Sequence, residues 1–239
     1  MQYRVKDIRD IFINKYKRAA QYPDNIEEDG NLEILSASFI ADEPVIFGVP
    51  NEKYQEAELN WYDSMKLNLD KLEEFYGKVP VIWKRNAANT RGDINSNYGY
   101  LVYHLLNGAQ YDNVYQELKR NPQSRRATMI YTHPNMHEKH REHGKNDFVC
   151  TNAVTYYNKR GKLHAVVQMR SNDAVFGYIN DLYWQDRVLD RLRIDLELEK
   201  GSILWQAQSL HVYPRHFHHI EKLIKPTDYP VEDIGAHDG

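Results

Sequence analysis

Three stretches of the chain place apolar residues three and four positions apart, which is the spacing of an amphipathic helix. They cover residues 3–20, 52–76 and 175–196. In the first stretch Lys and Arg separate the apolar positions, so one face of the helix should pack inward and the other should meet solvent. The second stretch predicts a helix that an interruption could divide, and the third predicts one long helix.

Shorter runs of β-branched, aromatic and other apolar residues predict strands at residues 32–35, 45–48, 126–131, 151–157, 163–169 and 203–213. Residues 158–162, Asn-Lys-Arg-Gly-Lys, predict a hairpin loop because Gly161 can adopt a positive φ. Strands and helices mix without a regular alternation, which indicates an α+β fold rather than a doubly wound one. Because no repeat or linker interrupts the sequence, we expect a single domain over residues 1–239.

The composition narrows the classes of function. The net charge is −3 over 239 residues, so the chain lacks the basic surface that duplex DNA or an anionic membrane attracts. No apolar run approaches the roughly 20 residues of a membrane span, and residues 1–7 contain no apolar signal core. A single cysteine excludes an intrachain disulfide and leaves a free thiol. We therefore expect a cytoplasmic protein.

That cysteine, Cys150, comes just before the predicted hairpin, and the second strand of the hairpin leads into Arg170 and Ser171. Farther along, His211 and Tyr213 alternate on a predicted strand and therefore face the same side. A thiolate can add to an aromatic ring and later leave it, and a nearby arginine would lower the thiol pKa as this chemistry requires. The alternative is a buried, inert thiol, which is the commoner role of a lone cysteine.

In their sequence and order, these motifs resemble the thymidylate synthase superfamily and, within it, the phage deoxycytidylate hydroxymethylases. The similarity runs from roughly residue 32 to about residue 220. It implies an α+β fold with a mixed β-sheet flanked by helices, and a homodimer packed through the sheets. The segments that carry the resemblance are Ala37–Pro44, Ile94–Gly99, Met169–Asp181 and Ser209–Phe217.

The resemblance assigns three residues to catalysis. Cys150 would be the nucleophile that adds to position 6 of a pyrimidine. Glu58 would move protons near the ring, and partial burial would raise its pKa, although a solvated glutamate is the alternative. Asp181 matches an Asn of the uracil enzymes, so it would select cytosine by accepting from the amino group and sharing a proton with ring nitrogen 3. The neighbouring Asn180 is a second substrate-binding candidate, because a shift of one residue would give it this role.

Three arginines and a serine would bind the substrate phosphate. Arg170 and Ser171 supply a fork of donors and a hydroxyl. Arg125 and Arg126 match the paired arginines that reach the neighbouring subunit's phosphate site, with plain surface charge as the alternative. Residues 21–35 contain no Lys or Arg, so the contact that related synthases take from an N-terminal loop is lost or supplied from elsewhere.

The resemblance also assigns the residues that bind the sugar and the folate. His211 and Tyr213 would bind the sugar hydroxyl of a deoxynucleotide. Asp173 matches the residue that contacts the pterin ring, Trp83 could stack on that ring, and Gly177 completes the set of cofactor-binding residues.

Four histidines between His133 and His143 form a competing motif, because spacings of three and four residues could bring imidazoles together around zinc. The charged residues between them are typical of a solvated loop or short helix. We expect no metal.

The resemblance favours a folate-dependent deoxycytidylate 5-hydroxymethyltransferase, with dCMP as substrate, 5,10-methylenetetrahydrofolate as co-substrate and other nucleotide-synthesis enzymes as further candidate partners. A phage origin would place it in the host cytoplasm and connect it to DNA modification. Residues 229–239 differ from the short apolar tail that seals the site of methylating relatives, and an open site would admit water. The alternatives are a dCMP or dUMP 5-methyltransferase and a non-catalytic nucleic-acid-binding protein on the same fold.

Overall fold

The computed structural model describes residues 2–21, 29–87 and 92–224. Apolar side chains from the helices and the sheet form one continuous buried cluster, in which Trp61, Trp205 and Tyr178 are among the largest members. In this part of the chain no helix is long and apolar enough to cross a membrane. The helices described are α1 (Val5–Gln21), α2 (Glu52–Asp63), α3 (Asp70–Tyr76), α4 (Val81–Ala87), α5 (Tyr98–Tyr103), α6 (Gln110–Arg120), α7 (Met136–Lys139), α8 (Gly177–Asp195) and α9 (His218–Glu221).

The structure confirms the three predicted helices and divides the second one. Helices α1 and α8 match the first and third predictions. The second becomes α2 and α3 because the chain turns after Ser64, where Met65 adopts a left-handed φ of 53°. The indole N–H of Trp61 donates to the Asn68 carbonyl at 2.8 Å, which fastens the connecting loop to α2.

The strands form one mixed sheet. From edge to edge its order is β1-β2-β7-β5-β4-β3, and β6 pairs with β7. Strand β7 is antiparallel to β2 but parallel to β5 and β6, whereas β4 is antiparallel to both β3 and β5. Helices flank this sheet, which confirms the α+β prediction. The strands are β1 (Tyr3–Arg4), β2 (Leu32–Ile40), β3 (Thr128–Ile130), β4 (Thr151–Lys159), β5 (Lys162–Met169), β6 (Asn172–Asp173) and β7 (Glu199–Val212).

Strands β4 and β5 form the predicted hairpin. Its turn is tighter than residues 158–162, because Lys159 already pairs with Lys162 and only two residues connect the strands. Both of these residues have positive φ, 55° at Arg160 and 78° at Gly161. Two positive φ values are characteristic of the type I′ turn, whose twist matches that of a β-hairpin.

The prediction of a strand at residues 45–48 is wrong, because none of these residues is in a strand and residues 46–48 form bends. Arg9 donates from Nε to the Ile46 carbonyl at 2.8 Å and from Nη2 to the Val45 carbonyl at 2.9 Å. Gly48 then turns the chain with a φ of 84°. The apolar side chains of Ile46 and Phe47 are buried in the core, so the pattern reflects burial without a strand.

Strands β5 and β6 follow one path along β7, with an interruption at Arg170 and Ser171. Met169 pairs with Ala207 before the interruption, and Asn172 pairs with Leu210 after it. The register is therefore the same on both sides. The two residues between them leave the strand ladder at the point where the predicted phosphate site begins.

Candidate active site

Cys150 and Arg170 lie side by side at the ends of two neighbouring strands. The Arg170 amide donates to the Cys150 carbonyl at 2.9 Å, and Arg170 Nη2 lies 3.5 Å from Cys150 Sγ. The guanidinium also donates to the carbonyls of Val149 and Phe148 at 3.0 and 2.7 Å, and it stacks 4.8 Å from the Phe148 ring centroid. These contacts fix a positive charge beside the thiol.

The expected lowering of the thiol pKa is not found, because burial acts against it. The pKa of Cys150 is raised to about 11, chiefly by burial and to a smaller extent by the carboxylates of Asp181 and Asp147. Arg170 acts in the opposite direction, as the sequence argument required, but the cost of burying a thiolate is larger. The thiol is therefore protonated at neutral pH and must lose its proton when it attacks.

Glu58 lies on α2 at the end of a chain of hydrogen bonds. Trp83 Nε1 donates to the Tyr54 hydroxyl at 2.8 Å, and that hydroxyl donates to Glu58 Oε1. Glu58 is only 6% exposed, so it is a buried glutamate and not a solvated one. Burial raises the pKa of Glu58 to about 7, while hydrogen bonds from Tyr54 and Trp83 lower it. A carboxyl group with this pKa can both give and take a proton near neutral pH.

We expect Tyr54→Phe to move the Glu58-dependent limb of the pH–rate profile to higher pH. The hydroxyl stabilises the charged carboxylate, so its removal raises the pKa of Glu58, by about one pH unit for a hydrogen bond to a charged group. The pH dependence of kcat/KM measures this change. Tyr76→Phe is the matched control, because the Tyr76 ring packs 5.3 Å from the Tyr54 ring and its hydroxyl bonds to Asn51. An equal shift in both variants would contradict the assignment.

Asp181 lies in the first turns of α8, where it accepts a hydrogen bond from Asn172 and is repelled by Glu58. Asn172 Nδ2 donates to Asp181 Oδ2 at 2.8 Å. The pKa of Asp181 is raised to about 8, chiefly by burial and then by repulsion from Glu58 and Asp173, while the Asn172 hydrogen bond opposes the rise. Glu58 thus contributes to the raised pKa of Asp181, and near pH 7 Asp181 is mainly protonated.

The position of Asn180 is different. Its backbone N–H donates to the Phe176 carbonyl within α8, and its side chain is half-buried. Consecutive helix residues point about 100° apart, so Asn180 and Asp181 cannot face the same neighbours. The hydrogen bond from Asn172 and the electrostatic interaction with Glu58 belong to Asp181.

His211 and Tyr213 lie together at the end of β7. Their ring centroids are 4.7 Å apart in an edge-on arrangement, and Ser209 Oγ is 3.3 Å from His211 Nδ1. Burial lowers the pKa of His211, which keeps the imidazole neutral at pH 7. The Arg215 guanidinium stacks on the Tyr213 ring, 4.0 Å from its centroid. A neutral imidazole and a phenol suit hydrogen bonding to a hydroxyl group.

The three residues predicted to bind the cofactor occupy two sides of this region. Asp173 is paired with His211 across β6 and β7, and its carboxylate accepts from the Val175 amide at 2.9 Å. A Cβ atom on Gly177 would lie 3.2 Å from Asp173 Cβ, so this position allows a close approach. Trp83 packs edge-on against Trp61 with centroids 5.0 Å apart, and its N–H is committed to Tyr54.

The remaining phosphate candidates are divided between this region and a distant one. Ser171 is half-buried beside Arg170. Arg125 and Arg126 are exposed, and Arg126 bonds to Glu117 through Nε at 3.2 Å and Nη2 at 3.0 Å. Both arginines precede β3, at the end of the sheet away from Cys150, so the structure does not join them to the other site residues within this chain.

The histidine-rich segment packs beneath the site. The rings of His137 and His140 both lie 5.3 Å from the Phe148 ring centroid, on which Arg170 stacks. Within the described ranges, no group of three or more potential ligands could hold a metal ion. The C-terminal tail at residues 229–239 and residues 22–28 of the segment without Lys or Arg lie outside those ranges.

The structure adds three residues that the sequence analysis did not assign. Tyr54 was detectable, because it lies four residues before Glu58 on the same helix and such residues are neighbours. Asn172 was visible only as part of the Arg170–Asp173 motif. Asp147 is buried, where its carboxylate accepts from the Asn95 amide at 2.6 Å and the Ser96 amide at 2.7 Å.

Comparisons with known proteins agree with this geometry. The family model described as thymidylate synthase matches residues 51–236. Deoxycytidylate 5-hydroxymethyltransferase of Enterobacteria phage T4 is 47% identical over 197 residues, covering 80% of this chain and 78% of the relative, and the phage T2 protein of the same name matches equally. Thymidylate synthase of Fusobacterium nucleatum is 30% identical over 167 residues, covering 67% of this chain and 55% of the relative.

Solved structures extend the likeness to the fold. Thymidylate synthase from phage T4 superposes with a TM-score of 0.69 at 16% identity, covering 88% of this chain and 80% of the other. Thermostable thymidylate synthase A from Bacillus subtilis gives 0.64 at 22% identity, covering 88% and 83%. At these identities the likeness concerns the fold alone.

Proposed function

This chain belongs to the thymidylate synthase family, and from that premise we propose that it is a deoxycytidylate 5-hydroxymethyltransferase. It would convert dCMP, 5,10-methylenetetrahydrofolate and water into 5-hydroxymethyl-dCMP and tetrahydrofolate, within one catalytic domain. The phage proteins of that name are 47% identical to it over 197 residues. A folate-dependent one-carbon transferase fits both this name and the wider family.

One observation carries the choice of base: a carboxyl group, Asp181, occupies the helix position beside Asn172 and Glu58, and its pKa is raised to about 8. Cytosine offers an amino donor and a bare ring nitrogen along its pairing edge. A protonated carboxyl group complements both, because one oxygen accepts from the amino group while the other donates its proton to the nitrogen. A group that is mainly protonated at neutral pH is ready to do this.

Cys150 is the proposed nucleophile. Its Sγ forms a bond to carbon 6 of the ring, the thiol proton passes to a base, and the electron pair of the C5–C6 double bond moves to carbon 5 and, by conjugation, to nitrogen 3. Transfer of the Asp181 proton to nitrogen 3 neutralises that charge. Arg170, 3.5 Å from the sulfur, stabilises the thiolate as the proton leaves.

The proposed co-substrate supplies a one-carbon unit at the oxidation level of formaldehyde to carbon 5. Asp173 is the residue present for hydrogen bonding to it, since its carboxylate is partly exposed beside His211. Trp83 offers a half-buried indole ring for stacking. Gly177 keeps the approach to Asp173 open, because a side chain there would contact that aspartate.

Glu58 is proposed to handle the protons of the second half of the reaction. It removes the proton from carbon 5 or from the attacking water, and its pKa of about 7 suits both directions of transfer. Tyr54 holds Oε1 and thus fixes the direction in which the carboxylate points. The thiol then leaves carbon 6 and the aromatic ring is restored.

The phosphate would be bound by Arg170 and Ser171 of one subunit and by Arg125 and Arg126 of another. The register of β3 and β4 supports this division. Arg126 lies level with Tyr157, seven residues along β4 from Cys150, which corresponds to about 20 Å. An arginine side chain cannot cover that distance, so these arginines can serve a phosphate only in a second copy of the chain. A homodimer packed through the sheets would bring them there.

We expect the product to carry a hydroxymethyl group whose oxygen comes from water. The enzyme is incubated with dCMP and methylenetetrahydrofolate in ¹⁸O-labelled water, and mass spectrometry should find the label in the nucleotide while tetrahydrofolate accumulates. Parallel reactions with dUMP and CMP test the base and the sugar. Dihydrofolate that appears in step with an unlabelled, methylated product would instead establish a methyltransferase.

A further inference from the structure

Asn172 is the buried neighbour of the residue proposed to read the base. Its side chain is 3% exposed, and Nδ2 donates to Asp181 Oδ2 at 2.8 Å. The pairing of β6 with β7 fixes its backbone opposite Leu210. A Cβ atom on Gly177 would lie 3.2 Å from Nδ2 and 3.8 Å from Asp181 Oδ2, so a side chain at position 177 would crowd this contact and glycine leaves it undisturbed. Asn172 is thus a buried donor to one oxygen of Asp181.

The oxygen of the Asn172 amide bears on which way round the amide lies. Asn172 Oδ1 is buried, and the described part of the chain offers it no hydrogen-bond partner. The opposite orientation would bring Oδ1 to within hydrogen-bonding distance of Asp181 Oδ2, and two oxygens at that distance require a proton between them. The two orientations of Asn172 therefore correspond to two positions of the proton on Asp181: the observed one keeps Oδ2 unprotonated, and the reverse one needs a proton on Oδ2.

We infer that Asn172 is a specificity-determining positioning residue, which keeps Asp181 Oδ2 as an acceptor and confines the carboxyl proton to Oδ1. The inference rests on the proposed function and deepens it. It assigns the orientation of the base: the amino group of cytosine meets Oδ2, which can accept from it and from Asn172 at once, and ring nitrogen 3 accepts the proton of Oδ1.

The same arrangement disfavours the binding of uracil. At the corresponding positions uracil has a carbonyl acceptor and a ring N–H donor. The carbonyl would meet the lone pairs of Asp181 Oδ2, and the N–H would meet the proton on Oδ1, so both contacts would be repulsive. A carboxylic acid free to carry its proton on Oδ2 would match uracil equally well. Without Asn172, Asp181 alone would therefore discriminate poorly, because a carboxyl group can present either pattern.

The test compares the two bases directly. Dissociation constants of dCMP and dUMP are measured by titration calorimetry without folate, together with kcat/KM for each nucleotide, for the wild-type chain and for Asn172→Leu. The leucine has a similar volume and no hydrogen bond. We expect the preference for dCMP to fall by about tenfold or more, which is the effect of one lost discriminating contact. A merely structural role would weaken both nucleotides equally and leave their ratio unchanged, and that result would overturn the inference.

Gln185→Leu is the matched control. Gln185 is a fully buried amide on the same helix, one turn after Asp181, and its Nε2 also has no partner among the described residues. The control should keep the wild-type ratio. If Asn172→Leu does not fold, Asn172→Asp is used instead, because it keeps a polar side chain of similar volume. Its protonated carboxyl group can either donate or accept, so the preference for dCMP over dUMP should fall in this variant too.

The outcomes separate this inference from the function on which it rests. If the wild-type chain neither binds nor turns over dCMP, the proposed function fails. If it turns over dCMP and both Asn172 variants keep its base preference, the proposed function stands and the role of Asn172 is wrong.

Discussion

Cys150→Ser is expected to lower turnover of dCMP by about four orders of magnitude or more, because the hydroxyl cannot replace a thiolate as nucleophile and leaving group. The affinity for dCMP should persist, since the proposed phosphate and base contacts belong to Arg170, Ser171 and Asp181. Single-turnover kinetics and titration calorimetry separate the two quantities. Turnover near the wild-type level would exclude covalent catalysis by this residue.

The protonated thiol of the unliganded chain adds a second observable to that prediction. Because burial raises the pKa of Cys150 to about 11, a thiol reagent should modify the free enzyme slowly at pH 7. Arg170 lies 3.5 Å from the sulfur and is already held by the carbonyls of Val149 and Phe148. The arginine therefore lowers the cost of forming the thiolate during attack without maintaining it at rest.

Asp181→Asn is expected to reduce kcat for dCMP by roughly 10²–10⁴-fold, the usual contribution of a positioned proton donor, and to improve the relative use of dUMP. An amide cannot deliver a proton to nitrogen 3, so the charge of the intermediate would stay uncompensated. It can donate to the uracil carbonyl and accept from the uracil N–H. Steady-state kinetics on both nucleotides give the ratio.

Asn172 is compatible with that change of base. Once residue 181 is an amide, no ionisable oxygen requires a donor, and the Asn172 amide can reverse together with its partner. Asn180→Ala serves as the comparison, because Asn180 points about 100° away around the helix from Asp181. A preference for dCMP that survives Asp181→Asn but disappears in Asn180→Ala would transfer the specificity role to Asn180.

Local sequence patterns predicted most of the fold because they depend on nearby residues. The helical periodicity of α1 and α8 and the Arg160-Gly161 turn are of this kind. The wrong strand at residues 45–48 shows the limit: Arg9 binds the carbonyls of Val45 and Ile46 from a position more than 30 residues earlier, and no local pattern reveals that contact.

The part of the site that was predictable is the part whose positions are determined by strand pairing. A hairpin joining Cys150 to Arg170 brings the two together whatever the rest of the chain does. The protonation of Cys150 was not predictable, because it depends on how deeply the whole fold buries the sulfur. The contact of Asn172 with Asp181 depends on the way α8 packs on β5 and β7, so it required the structure.

The interruption between β5 and β6 constrains the number of residues in this segment, in addition to their identities. Two residues, Arg170 and Ser171, leave the ladder, and β7 continues opposite them without any slip. An insertion or deletion of one residue there would move Asp173 from its place opposite His211 and turn the side chains that follow to the other face of the sheet. Over evolutionary time the number of residues in this segment is therefore fixed, independently of the roles proposed for Arg170 and Ser171.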